Sequence, residues 1–261
     1  MSKIRFPGFG IETNITNVAF CFCGIDVYFY AICIVLGILI SIILSGISKE
    51  KFGINHDFLI KSIFGMLIFG IVGARFYYIL FNLKKYLNEP LEIFNLRNGG
   101  LAFYGGMIFV SIYLFYRCKK QKVNFLDFLD YIVPFVAIAQ SIGRWGNFFN
   151  REAYGYETNN IFRMGMTNSF GNYIEVHPTF LYESFLTFLI FIFLRFLQKR
   201  RKFKGEVCYS YIICYSFIRI FIEGLRQDSL MLFNLRISQI LSVIFFVLFF
   251  VILFQKNKIT R

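Results

Sequence analysis

The chain has 261 residues, of which 57% are hydrophobic, 21% aromatic and only 16% charged, with a mean hydropathy of +0.60. An ordinary soluble domain carries about 25% charged residues, so this composition excludes a soluble globular protein and implies an integral membrane protein. The formal net charge of +13 reads as basic loops lying on anionic lipid headgroups and not as a nucleic-acid surface.

In chain order, the first nineteen residues are polar and mixed, and no small-residue cleavage site follows the first apolar run, so no removable signal peptide is expected. Seven spans follow, at about 27–48, 59–82, 98–116, 131–149, 179–197, 207–225 and 237–255, each near the roughly 20 residues that cross a hydrocarbon core. The first, third and seventh contain no charge. The others are interrupted by Lys61 and Arg75, by Arg144, by Glu183 and Arg195, and by Arg219 and Glu223. Residues 150–178, rich in Gly and Asn, form a connection far longer than the usual few residues and predict a small outer head between the fourth and fifth spans. The expected fold is an all-α polytopic membrane protein, a single domain over 1–261 with about seven transmembrane helices.

The basic residues set the orientation. With the N-terminus outside, sixteen Lys and Arg residues fall on the inner side, from Lys49, Lys51 and Lys61 through the 195–204 cluster to Lys256, Lys258 and Arg261. Nine fall outside and three (Arg75, Arg144, Arg219) lie within spans, which favours N-out and C-in. The six cysteines, at 21, 23, 33, 118, 208 and 214, show no paired CxxC spacing, so no zinc or other metal site and no disulfide framework is indicated.

Charges inside a membrane helix cost roughly 2.5 to 3.5 kcal/mol each even on the lenient insertion scale, so such residues mark a functional site unless they snorkel to headgroups. In the sixth span Tyr215, Arg219 and Glu223 are spaced i, i+4, i+8 and Arg226 follows Arg219 at i+7, which puts all four on one helical face. A structural Arg219 neutralised by Glu223 would account for two of them. It would not account for a second helix delivering Arg144, Asn147, Asn150, Arg151 and Glu152 at a similar depth. Two converging guanidinium groups match phosphate oxygens bidentately, so a phospholipid headgroup is the expected ligand. Gly143, Gly146 and Gly155 would let backbone approach closely beside it, although small residues in membrane helices commonly serve packing alone.

The stretch GRWGNFFNREAYG at 143–155 closely resembles the signature GRxGNFxNxExxG of the bacterial prolipoprotein diacylglyceryl transferases. Supporting blocks run along nearly the whole chain: Val27-Tyr28, Gly73-Ala74-Arg75, NGGLAFYGG at 98–106, HPTFLYE at 177–183 and RIFIEGLRQ at 219–227. The resemblance implies a multi-pass enzyme of the bacterial inner membrane, with seven helices, a small periplasmic head and an active site toward the periplasmic side. Its reaction would move the diacylglyceryl group of phosphatidylglycerol to the lipobox cysteine of a prolipoprotein signal peptide and release glycerol-1-phosphate. No cofactor is implied.

By the same resemblance, Arg144 and Arg219 would stabilise the charge that develops on the departing phosphate. Asn147, Asn150, Glu152 and Gly155 would shape the headgroup site, Tyr28 and Tyr215 would line it, Arg75 would contribute to binding, and Glu223 would orient Arg219. The family's GGLxFHGG block carries a histidine where this chain has Tyr104, and a tyrosine is a poor base unless neighbouring cations favour its phenolate. Three sources of the thiolate therefore stand open: Tyr104 as base or relay, His177 in its place, or the arginine field alone. A transporter or flippase for an anionic lipid or solute would also bury arginines and glutamates, but secondary transporters usually carry internal repeats, and none is visible here. A catalytically inactive scaffold of the same fold is motivated only by Tyr104.

Overall fold

The computed structural model describes residues 2–48, 52–95, 99–168, 171–227, 229, 231–232 and 235–259. Asn98 of the NGGLAFYGG block, and Lys49, Lys51, Arg97 and Arg261 of the charge count, lie outside the described residues. The chain divides into two compact units, Met1–Glu50 with Ile132–Arg261, and Lys51–Tyr131.

The larger unit opens with four short strands, β1 (Ser2–Phe6), β2 (Ile11–Ile15), β3 (Val18–Phe22) and β4 (Ile25–Tyr28), and continues directly into helix α1 (Phe29–Gly46). It holds all of helix α5 (Phe125–Asn150) from Ile132 onward, then strands β5 (Met164–Thr167) and β6 (Tyr173–Val176). Helices α6 (Thr179–Lys199) and α7 (Glu206–Leu225), the short strand pair β7 (Met231–Leu232) and β8 (Leu235–Arg236), and helix α8 (Ile237–Ile259) complete it. In the smaller unit are α2 (His56–Phe81), α3 (Leu83–Asn88), a 3-10 turn at Pro90–Phe94, and α4 (Phe103–Lys120).

Six of these helices, α1, α2, α5, α6, α7 and α8, are long and apolar enough to cross a membrane. Their outward faces carry exposed Ile, Leu, Val and Phe side chains, as on α8 at Val247, Phe250 and Phe254. Lipid tails solvate such a face as well as a protein core would. Helix α4, where a span is expected at 98–116, is not among the six. Gly99 and Gly100 hold φ of 78° and 77°, a left-handed backbone that only glycine takes freely, so the helix starts at Phe103 and its last turn collects Arg117, Lys119 and Lys120. Start signals elsewhere follow local chemistry. Asn55 accepts from the Asp57 amide at 3.0 Å to cap α2, and Asn124 accepts from the Leu126 and Asp127 amides at 3.0 and 3.2 Å to cap α5.

The chain is mostly helical but not all-α. Strands β2-β1-β5-β6 form one antiparallel sheet, so the expected head at 150–178 supplies only half of it and the N-terminal residues supply the rest. Alternation along Lys3-Ile4-Arg5-Phe6 drives this. Ile4 turns inward, fully buried, while Lys3 and Arg5 turn out to meet Glu12 at 2.5 and 2.8 Å. Behind the sheet, Ile4, Ile15, Met164, Met166 and Val176 pack on Phe148 of α5 and Phe180 of α6. This apolar contact fixes the head on the ends of the two helices.

Helix α5 is the hub of the larger unit. Ser41 of α1 donates to the Phe135 carbonyl at 2.7 Å, and Ser141 and Ser184 donate reciprocally to each other's carbonyls at 2.8 Å, joining α5 to α6. Tyr211 of α7 donates to Gln140 at 2.6 Å. In a membrane these polar contacts take the place of a hydrophobic driving force between helices.

Candidate active site

Glu183 is the centre of the site, with its side chain 3% exposed. It sits one turn into α6, and its carboxylate receives groups from two other helices. Arg144 of α5 donates to Oε1 at 2.5 Å, Arg219 of α7 approaches Oε2 at 3.3 Å, and the Tyr215 hydroxyl donates to Oε1 at 3.0 Å. Arg219 also forms an ion pair with Glu223 one turn further along α7. Two arginines and two glutamates thus neutralise one another formally, which offsets the desolvation of each. At 1.5 Å rise per residue, Arg144 and Arg219 lie about 9 Å and Glu183 about 6 Å inside the same ends of their helices. The cluster therefore lies in the half of these helices next to those ends.

A polar chain leads from the cluster to the head. Arg144 approaches Asn147 Oδ1 at 3.4 Å, Asn147 donates to Glu152 Oε1 at 2.8 Å, and Asn150 approaches the same oxygen at 3.4 Å. Glu152 is held between Arg151 and Ala153, whose φ values of 54° and 56° are left-handed. Such residues cost about 1 to 3 kcal/mol each and persist where surrounding contacts impose them. Here the contacts are the bond from Thr179 Oγ1 to the Ala153 carbonyl and the bond from the Glu152 amide to the Asn147 carbonyl at 3.1 Å. A cavity of about 300 Å³ opens beside this turn, lined by Arg151, Glu152, Ala153, Tyr154 and Gln227.

Two glycines of the signature act by close approach. A Cβ on Gly146 would stand 2.6 Å from the Tyr30 ring, and one on Gly155 would stand 2.7 Å from the His177 Cβ and 2.8 Å from the Leu225 carbonyl oxygen. Gly143 has open space around it, so close packing does not explain that position. The Gly155 contact is the seam between head and helices: Gly155 donates to the His177 carbonyl and Tyr156 to the Leu225 carbonyl, both at 2.9 Å. Arg236 fastens the same seam by donating to the carbonyls of Glu223 and Arg226 at 2.5 and 3.2 Å and to the Tyr156 hydroxyl at 3.0 Å.

The structure therefore brings Arg144, Asn147, Asn150, Glu152, Tyr215, Arg219 and Glu223 into one connected network, with Gly155 at its edge. Tyr28 ends β4, is 45% exposed, and makes no hydrogen bond to the network among the described residues. Tyr30, two residues later, lies against Gly146 and within electrostatic range of Arg144 and Glu152. His177 places Nδ1 3.3 Å from the Tyr182 hydroxyl, and burial pushes its pKa below the ordinary histidine value.

Arg75 and Tyr104 belong to the smaller unit. Arg75 is buried and donates to the carbonyls of Glu92, Ile93, Asn95, Gly99 and Gly100, with its guanidinium over the Tyr86 ring at 5.2 Å. It is the clamp of the strap that leads into α4. Tyr104 stands in the first turn of α4, exposed, with its ring edge-on to Phe103.

Sequence reasoning missed two residues. Glu183 was visible as an acid in an apolar run, but nothing local shows that its partners lie 39 and 36 positions away. Arg236 follows a mostly apolar connection and carries no sequence signal of its role.

Comparison with known proteins identifies the family. The family model described as prolipoprotein diacylglyceryl transferase matches residues 17–255. Proteins named phosphatidylglycerol--prolipoprotein diacylglyceryl transferase are similar over most of their length. The one from Enterococcus faecalis is 43% identical, covering 94% of this chain and 92% of its own. That from Finegoldia magna is 39% identical, covering 93% and 96%, and that from Clostridioides difficile is 39% identical, covering 93% and 97%. With arginines of two helices gathered on one buried glutamate, and a family match over nearly the whole chain, this protein belongs to the prolipoprotein diacylglyceryl transferase family.

Proposed function

We propose that this protein transfers the sn-1,2-diacylglyceryl group of phosphatidylglycerol to the lipobox cysteine of prolipoproteins. The new bond joins the cysteine sulfur to the glycerol carbon that carried the phosphate. The broken bond joins that carbon to phosphate oxygen, and glycerol-1-phosphate leaves with the electron pair. The observation that carries this reading is the convergence of Arg144 and Arg219 on Glu183. A guanidinium has five N–H donors, and the contacts among the described residues use two on each, so a phosphate can be received without dismantling the cluster. The diester carries one charge and the departing monoester gains another, so donors aimed at those oxygens stabilise the transition state more than the bound lipid.

In this reading Glu183 brackets the two arginines, Glu223 orients Arg219, and Tyr215 lines the phosphate site. Asn147, Asn150, Glu152 and Gly155 shape the region taken by the glycerol headgroup, beside the cavity at residues 151–154. Tyr28 lines the site from the rim, and Arg75 contributes through the strap that positions Tyr104. The thiol proton leaves through Tyr104, as phenolate or as a relay to a further acceptor, with His177 and the arginine field as the other two routes. Helix α4 serves as a seventh span, and the chain runs N-out and C-in across the bacterial inner membrane with the head and site on the periplasmic side. The basic last turns of α4, α6 and α8 support that orientation. A transporter would be expected to carry internal repeats, and the sequence shows none.

The test is purified protein in bilayers with phosphatidylglycerol and a lipobox peptide, scored for the thioether product. Product is expected with the cysteine peptide and absent with its serine counterpart. Lipid transport across the bilayer without thioether formation would favour the transporter instead.

A further inference from the structure

Strands β3 and β4 form a hairpin that stands apart from the four-stranded sheet. Its register pairs Phe20 with Val27, Cys21 with Asp26, and Phe22 with Ile25. Cys23 and Gly24, with φ of 50° and 74°, make the two-residue turn. Two left-handed residues in succession are what a tight hairpin requires. Side chains alternate across a strand and cross-strand partners share a face. One face of the hairpin is therefore Phe20, Phe22, Ile25 and Val27, wholly apolar, and the other carries Cys21 and Asp26.

An apolar face of this kind is normally covered, because a sheet stabilises itself by burying one side. Here Phe22 is 68% exposed, and Phe20 and Ile25 are also exposed. The chain path fixes where this face lies. Tyr28 ends β4 and Phe29 begins α1, a helix apolar enough to span the membrane, with no linker between them. Phe29 donates its amide to the Asn17 carbonyl at 3.0 Å and stacks on Phe149 of α5 at 4.4 Å, so the root of the hairpin is fixed at the ends of two spans. A hairpin rooted there stands at the level of the lipid headgroups.

We infer that the β3–β4 hairpin is a lipid-surface anchor that lays Phe20, Phe22, Ile25 and Val27 into the acyl boundary and keeps Cys21 and Asp26 toward water. This is the β-sheet counterpart of an interfacial amphipathic helix. It also sets the depth of α1 and, through Tyr30 against Gly146, of the signature helix. The inference rests on α1 being a membrane span and not on the transferase reading, so the two fail separately.

The test uses the full-length protein with all six native cysteines replaced by serine or alanine, reconstituted in phosphatidylcholine bilayers. An environment-sensitive fluorophore is placed at Phe22→Cys or at Asp26→Cys, with Ile25→Cys as a second probe of the apolar face. Labels at 22 and 25 are expected to emit blue-shifted light and to be quenched several-fold more by brominated acyl chains than the label at 26. Equal quenching at all three positions overturns the inference. So does a label at 22 that reports water until a lipobox peptide is added, which would make this face a docking surface for the signal segment.

Discussion

Replacing Glu183 by glutamine keeps its shape and removes its charge, leaving two guanidinium groups within reach of one neutral amide. In the wild type the carboxylate meets Arg144 at 2.5 Å and Arg219 at 3.3 Å. At the effective dielectric of about 20 that suits such sites, each attraction near 4 Å is worth about 4 kcal/mol before desolvation is deducted. Removing one member of a buried ion pair costs about 3 to 5 kcal/mol net, and the partial exposure of Arg144 argues for the lower end. If about 3 kcal/mol of that loss falls on the transition state, through arginines that no longer share one position, kcat/KM drops about a hundredfold. The assay is initial thioether formation at subsaturating phosphatidylglycerol, paired with thermal unfolding in detergent. The variant should unfold at lower temperature, and added phosphatidylglycerol should raise its midpoint more than that of wild type, because the phosphate supplies the missing negative charge. A Glu183→Gln enzyme with wild-type kcat/KM and an unchanged midpoint would refute the bracket.

Arg144→Lys keeps the charge and loses the planar fork, so the protein should still insert while transferase activity falls by about two orders of magnitude; near-normal turnover would remove the phosphate clamp. Tyr104→Phe should lose activity sharply and Tyr104→His should keep it, and a Phe variant equal to wild type would leave the arginines as the source of thiolate. Arg236→Ala withdraws charged donors from Glu223, Arg226 and Tyr156, at about 1.5 to 3 kcal/mol for such a bond. Its kcat should fall more than its KM rises, with partial recovery in Arg236→Lys; an unchanged ratio would limit Arg236 to stability. Because burial depresses the pKa of His177, its contribution to stability is complete above the unfolded value of about 6.5 and is lost as pH falls through the folded one. His177→Gln should therefore flatten the decline of the unfolding midpoint between about pH 7 and 5, and parallel declines in both proteins would exclude this residue as the cause.

Sequence alone determined the membrane class, most helix positions and the identity of the costly residues, because oil penalises every charge and each survivor stands out against its apolar run. Arg144, Arg219 and Glu223 were legible for that reason, and the i, i+4 spacing already paired the last two. The N-terminal strands were hidden because a strand of five residues offers too few alternations to outweigh a polar composition, and half of their sheet comes from a distant segment, Arg5 pairing with Gly165. The start of α4 was misjudged because hydropathy does not register a left-handed backbone at Gly99 and Gly100. Only the tertiary structure decided which carboxylate the two arginines share. Glu183 reaches them from a third helix, and charges that meet across helices are chosen by packing, which no local pattern encodes.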